Sequence, residues 1–154
     1  MQSIMFNTYQ SKKVNKHWGF ELWIADGKRT PYATKHILFR AGNRTSLQVH
    51  QFKYETNYVL NRSGVLHVSP EPFNIAEFLL VGMSAQEVQD YEQTFIRVNL
   101  EPGVIFDIPP TYVHRVIPTT DLEFIETSTT ELDDVIRLQD DHGRTHGKID
   151  YEHQ

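Results

Sequence analysis

The stretch "GNRTSLQVHQFKYE", Gly42 to Glu55, decides the fold. A glycine turn opens it, and the strand pattern that follows places Gln48 and His50 on one face, because side chains two apart on a strand point the same way. If "QFKY" turns the chain, Glu55 on the next strand comes back opposite them. An amide, an imidazole and a carboxylate then share one space.

Further along, "GVIFDIPPTYVHRV" (residues 103–116) repeats the logic: a glycine turn, a strand, a proline-marked turn, and His114 opening another strand. Two imidazoles with amide and carboxylate oxygens suit a divalent ion of borderline N/O preference. A ligand from so distant a segment would tie two sheets together through the ion. Taken singly, each residue has an ordinary reading: a packed strand histidine, a polar strand glutamine, a solvated turn glutamate. The joint pattern, each half introduced by a glycine turn, favours Gln48, His50, Glu55 and His114 as metal ligands.

The rest of the chain is built from short alternating or β-branched runs. "FELWIAD", "YATKHILFR", "TSLQVHQ", "TNYVLN", "GVLHVS", "AEFLLVG", "TFIRVNL", "VIFDIP", "VHRVIP" and "LEFIETST" each suit strands. Breakers such as "ADGK", "NRSG", "SPEP", "LEPG" and "PTTD" separate them. Many short strands at regular spacing predict an all-β antiparallel barrel or sandwich. One short helix is expected at "SAQEVQDYE", where Ser84 and Glu87 have capping-box spacing. "ELDDVIRLQDDHGR" fits either a turn of helix or an edge strand. No repeat or linker divides residues 1–154, so one domain is expected.

The 154 residues suffice for a sizeable core. Net charge is −5, with no basic patch, which argues against nucleic acid, whose binding draws on lysine and arginine. No apolar run reaches membrane-spanning length and the start lacks a secretory layout, so no membrane partner is expected. Cysteine is absent, which excludes thiolate zinc sites and is consistent with a cytoplasmic protein.

The two motifs resemble those of the cupin superfamily. Gly42, Gln48, His50, Glu55 and Gly64 stand in its first motif, and Gly103, Pro109, Thr111 and His114 in its second. Gln48 replaces the usual first histidine, as in type II phosphomannose isomerases and the isomerase domain of mannose-1-phosphate guanylyltransferases. "HWGFE", "KHILFRAGNRTSLQVH" and "LEFIETSTTELDDVIRLQDDHGR" are similar to further stretches of that branch, and the likeness runs from residue 14 to 144. It departs at residues 69–93, an insertion between the motifs, at a late Gly64, at Asn57 and at Thr111, where glycine is usual.

The resemblance implies a single-domain double-stranded β-helix, the jelly-roll or cupin barrel, with one short inserted helix. It implies a metal-dependent sugar or sugar-phosphate isomerase of the mannose-6-phosphate isomerase type. A non-catalytic, metal-containing sugar-binding or regulatory cupin is the alternative, and an iron-dependent oxygenase a third reading. The ion would be zinc foremost, with manganese, nickel or iron compatible. Lys35, Glu126 and His36 are candidate proton shuttles, although Lys35 equally fits a surface lysine and Glu126 a buried partner of a ligand histidine. Arg44, Lys53 and Arg115 are candidate phosphate donors, Arg115 the weakest because it points away from His114. The tail "DDHGRTHGK" reads as solvated, and Trp18 and Trp23 as core caps. The partner would be a small sugar or sugar phosphate, and the chain is expected to form a homodimer through open strand edges, to which "MQSIMFNTYQ" could contribute.

Overall fold

Trp18, Ile37, Phe39, Val59, Leu66, Phe106, Leu122 and Phe124 are buried together between two antiparallel sheets. The computed structural model describes Phe6 and residues 8–153. Most of the N-terminal stretch considered as a pairing edge therefore lies outside the described residues.

Eleven strands run in chain order: β1 (Lys12–Lys16), β2 (Gly19–Asp26), β3 (Ala33–Phe39), β4 (Leu47–Val49), β5 (Glu55–Asn61), β6 (Gly64–Val68), β7 (Ile96–Leu100), β8 (Ile105–Ile108), β9 (His114–Pro118), β10 (Leu122–Ser128) and β11 (Ile136–Gln139). One sheet has the order β1-β2-β3-β10-β5-β8 and the other β11-β4-β9-β6-β7. Strand spacing predicted an antiparallel barrel or sandwich, and the structure is the jelly-roll barrel that the resemblance implied. Two helices, α1 (Ile75–Val81) and α2 (Ala85–Glu92), interrupt the passage from β6 to β7, and a 3₁₀ turn (Asp150–His153) closes the described chain. No helix among the described residues is long and apolar enough to cross a membrane.

The sequence reading holds at α2. Ser84 caps it, accepting from the Glu87 backbone while the Glu87 carboxylate accepts from the Ser84 N–H. It fails at "AEFLLVG", read as a strand and found as α1. The Asn74 side chain accepts from the Glu77 N–H and starts the helix. The uninterrupted apolar run Phe78–Val81 carries no alternation that would distinguish strand from helix. The open choice at "VIRLQ" resolves to an edge strand, β11.

The five-stranded sheet is covered on both faces. Leu47 and Val49 turn outward into a second core with Ile75, Val88, Phe95, Val113 and Ile136, under the helices. This packing leaves Gln48 to the opposite, inward face. Gly19 marks a close approach: a Cβ there would lie 1.8 Å from the Leu38 carbonyl oxygen, so the "HWGFE" segment admits only glycine at that point.

The tail "DDHGRTHGK" is exposed along most of its length, as expected, but it is tied down at Arg144. Arg144 ion-pairs with Asp140 at 2.8 Å and with Glu152 at 3.2 Å, and Lys16 reaches Glu152 at 2.7 Å. Glu152 is buried, and its pair with Lys16 holds the Asp150–His153 turn against β1. Trp18 lies in the core stacked on Phe39 with ring centroids 4.5 Å apart. Trp23 is half-buried and donates its indole N–H to Glu21 at 2.9 Å.

Candidate metal centre

Along three neighbouring strands of the larger sheet, the inward side chains change from apolar to polar at one level. Ile37, Phe124 and Val59 form one row in register, and the next inward row is Lys35, Glu126 and Asn57. One step further Ser128 pairs with Glu55. The barrel thus has an apolar end and a charged end, and the charged end is where the second sheet brings its histidines.

Glu55 begins β5 in one sheet, while His114 begins β9 in the other and His50 follows β4 directly. Potential ligand atoms of His50, Glu55 and His114 all lie within 4.8 Å of one another, and all three residues are buried. His50 Nε2 stands 3.7 Å from Glu55 Oε2, and His114 Nε2 stands 3.8 Å from Glu55 Oε1. Gln48 pairs with His114 in register, so the two share the inward face. The Gln48 amide oxygen accepts from Ser46 Oγ at 2.7 Å.

The donor set fits a divalent ion. His50 Nδ1 donates to the Asp134 carbonyl and His114 Nδ1 donates to the Tyr112 carbonyl at 3.0 Å. A carbonyl only accepts, so both protons sit on Nδ1 and both Nε2 lone pairs turn toward Glu55, the arrangement that orients metal-binding imidazoles. His50 Nε2 is buried without any hydrogen-bond partner. Such an orphan acceptor is costly unless something electropositive meets it. Burial, with the nearby Lys53 ammonium, pulls His50 down to about 3, and burial also lowers His114. Both are held neutral, the form that ligates. Burial alone would raise the Glu55 carboxyl, but the Lys53 ammonium outweighs it and holds it well below the usual range.

The remaining candidates divide. Lys53, read as a donor near a phosphate, is instead buried beside the cluster, with Nζ 3.0 Å from Glu55 Oε2 and 3.3 Å from Glu126 Oε2. Glu126 is also buried, and burial with the neighbouring Glu55 carboxylate raises it to about 7. Lys35 is no surface lysine: it is buried, 3.1 Å from Glu21 and 4.7 Å from the centre of the Trp23 ring. His36, its neighbour, pairs with Glu123 at 3.0 Å on the outward face, away from the cluster. Arg44 grips Asp141 with two bonds of 2.7 and 2.8 Å at the surface. Arg115 is buried on the other face of its sheet, donating to Glu92 at 3.0 Å and to the Thr45 carbonyl at 3.2 Å. It clamps α2 onto the barrel, because the strand alternation that turns His114 inward turns Arg115 outward.

Two organising residues escaped the sequence reading. The Asp134 carboxylate accepts from the backbone N–H groups of Gln51, Phe52 and Lys53 at 3.0, 2.7 and 3.0 Å, while its carbonyl fixes His50. It shapes the loop that carries the ligand from more than eighty residues away, and local pattern could not reveal that. Glu21 closes the Lys35 pair. Burial would raise its carboxyl, yet Lys35, Lys16 and the Trp23 indole bring it down to about 2.

No protein-family model matches the chain, and no curated protein matches it in sequence. Solved structures do resemble it. The capsular polysaccharide assembling protein CapF from Staphylococcus aureus aligns over 86% of this chain with a TM-score of 0.62 and 16% identity, and the match spans 33% of CapF. Ectoine synthase from P. lautus aligns over 82% of this chain and 78% of its own, with a TM-score of 0.57 and 10% identity. A chain from Acidithiobacillus ferrooxidans, with a proposed sugar phosphate isomerase role, aligns over 82% of this chain and 71% of its own, with a TM-score of 0.52 and 13% identity. This chain therefore corresponds to about a third of CapF. At these identities the likeness carries the fold alone, and that fold is the jelly-roll barrel.

Proposed function

We propose that the protein is a metal-dependent sugar or sugar-phosphate isomerase of the mannose-6-phosphate isomerase type, passing through an enediol. The observation that carries this reading is the convergence of two neutral imidazoles and one carboxylate on a single buried centre, with a second carboxylate near neutrality beside it. His50, Glu55 and His114 would hold the ion, with Gln48 as the neutral fourth donor.

A bound divalent ion would supply Lewis-acid polarisation of the substrate's adjacent carbonyl and hydroxyl oxygens. The protein supplies the rest. One anionic ligand among neutral ones leaves the centre a net positive charge, which favours an electron-rich enediol. Glu126, raised to about 7, is suited to take a proton from one carbon through a carboxylate oxygen and return it to the neighbouring carbon. Lys53 holds that carboxylate in place at 3.3 Å. Lys35, closed in its pair with Glu21, holds the adjoining wall of the barrel. Resemblance in the sequence motifs supports the phosphomannose branch, and the sugar phosphate isomerase role proposed for the Acidithiobacillus chain agrees with it.

A second reading, a metal-containing barrel that binds sugars without turning them over, draws on the same interior. Lys53 and Lys35 are both closed in buried ion pairs, which a purely structural role would also require. The test is turnover: zinc- and manganese-loaded protein with mannose 6-phosphate, fructose 6-phosphate and free hexoses. Interconversion of any aldose–ketose pair supports the isomerase. Stoichiometric metal with no turnover, accompanied by sugar-dependent thermal shifts, supports the binding barrel.

A further inference from the structure

Residues 69–93 carry five carboxylates, Glu71, Glu77, Glu87, Asp90 and Glu92, and no lysine, arginine or histidine. Their summed charge equals the net charge of the whole chain, −5. Of the five, Glu92 is engaged by Arg115 and His67. Glu77, Glu87 and Asp90 accept only from backbone or amide groups of their own helices and caps. Neither helix has a basic residue of its own in its last turn, so the negative end of the α1 backbone dipole adds to this charge.

Between α1 and α2 lies a cleft of about 450 Å³. Its walls are Phe73, Phe78, Met83 and Tyr91, and Glu77 and Glu87 stand at its rim. Phe73 stacks against Tyr91 with centroids 5.5 Å apart, which keeps that wall rigid. Beside the cleft, Leu80 is 86% exposed and Val81 75% exposed, and α1 buries only Ile75. An apolar groove with an apolar shoulder, whose charged lining residues are all carboxylates, is not what the barrel itself needs.

We propose that this helical hairpin docks a cationic amphipathic helix of another polypeptide, with apolar side chains in the cleft and lysines or arginines against Glu77 and Glu87. Charge selects this occupant. Nucleic acid and anionic lipid would be repelled, and a neutral apolar ligand would strip water from the rim carboxylates without pairing them. A second copy docking through the same segment would bring five more carboxylates to this face. A basic helix satisfies both the apolar walls and the rim, the helix-in-groove mode of recognition.

The test uses two synthetic fifteen-residue peptides, with leucine at helical i, i+3, i+4, i+7 spacing and either lysine or glutamate elsewhere. Titration calorimetry against the full chain should show binding of the lysine peptide only, weakening with added salt. The pair Glu77→Lys/Glu87→Lys and, separately, Leu80→Ser/Val81→Ser should each weaken it about tenfold or more, with circular dichroism confirming the fold. The control pair Glu101→Lys/Asp107→Lys, of equal charge change on a distant surface, should retain the wild-type affinity. Absence of binding, equal binding of the glutamate peptide, or equal weakening in the control pair would each overturn the proposal. So would self-association of the free chain that the Leu80→Ser/Val81→Ser pair abolishes, since the occupant would then be a second copy.

Discussion

The backbone N–H of Thr111 donates to the His50 carbonyl at 2.7 Å, while the Thr111 carbonyl accepts from Phe73 at 2.8 Å. One residue thus ties a metal-ligand candidate to the start of the inserted segment. It does so at φ 75°, in the left-handed region that β-branched residues rarely enter. The cupin motif has glycine at this place, and threonine there is strained by about 1–2 kcal/mol. Thr111→Gly should therefore raise the urea midpoint, by about 1 kcal/mol in stability, with metal content unchanged. A lowered midpoint would mean that the threonine side chain contributes more than its backbone strain removes.

Metal occupancy rests on groups from both sheets. Protein purified without chelator should contain close to one divalent ion per chain by elemental analysis, and His114→Ala should lose it. Gln48→Ala should keep a reduced amount, because it removes a neutral donor and leaves the buried three. Chelation should also lower the melting temperature of the wild type and leave that of His114→Ala nearly unmoved, since an ion that binds only the folded state stabilises by mass action. Full metal in His114→Ala would remove the proposed centre.

Glu126 and Lys53 can be separated by substitution. Glu126→Gln preserves shape and the hydrogen-bonding oxygen but cannot carry a proton, so turnover should fall at least about a hundredfold with metal retained. Lys53→Met leaves Glu55 and Glu126 facing each other without their shared cation, and should destabilise the fold by about 3–5 kcal/mol. Comparable turnover in Glu126→Gln and wild type would reassign the proton transfer.

Much of this centre was legible because its parts obey strand alternation. Gln48 and His50 share a face within one segment, and Glu55 follows across one turn. His114 was legible because its segment repeats the order of glycine turn, strand and proline-marked turn. What escaped was set by long-range packing. Asp134 acts on the Gln51–Lys53 loop through three backbone N–H groups, and an aspartate in "ELDD" announces nothing of that. Lys53 lies past the end of β4, where alternation no longer predicts direction, and so was assigned to the wrong environment. "AEFLLVG" went wrong because an unbroken apolar run has no period.

The buried charges fix an acid response. His50 is lowered from its ordinary value to about 3, so its contribution to stability is present above 6.5 and is lost as pH falls below that value. Glu126, raised to about 7, contributes in the opposite sense: its share is complete below 4.5 and is lost as pH rises through 7. His114 is lowered as well, so Glu126 offsets only part of the loss, and the metal-free protein should lose stability gradually between pH 7 and 5. Below 4.5 the Glu21 carboxylate, lowered to about 2, adds its loss to that of His50, and stability should fall steeply. Urea titrations at half-unit intervals would show the shallow slope and the break. A loss as steep between pH 7 and 5 as below 4.5 would contradict the raised Glu126.

The expected homodimer has a physical basis on the outward face of the larger sheet rather than at an edge, and we propose that face as its interface. Leu22, His36, Ile125, Tyr58 and Ile105 stand in one register row across β2, β3, β10, β5 and β8. They lie on the surface opposite Lys35, Glu126 and Asn57. Tyr58, Leu60 and Ile105 are 46, 41 and 64% exposed, on a face that an isolated antiparallel sheet would present as polar. Strand spacing and rise give this face roughly 500 Å² in projection, and side-chain relief brings it toward the roughly 800 Å² per partner of a standard interface. Light scattering at micromolar concentration should give twice the chain mass. Tyr58→Lys/Ile105→Lys should return it to the monomer while keeping the metal, because these side chains turn away from His50, Glu55 and His114. A wild-type monomer at that concentration would eliminate the dimer. A dimer untouched by the double substitution would move the contact to the strand edges.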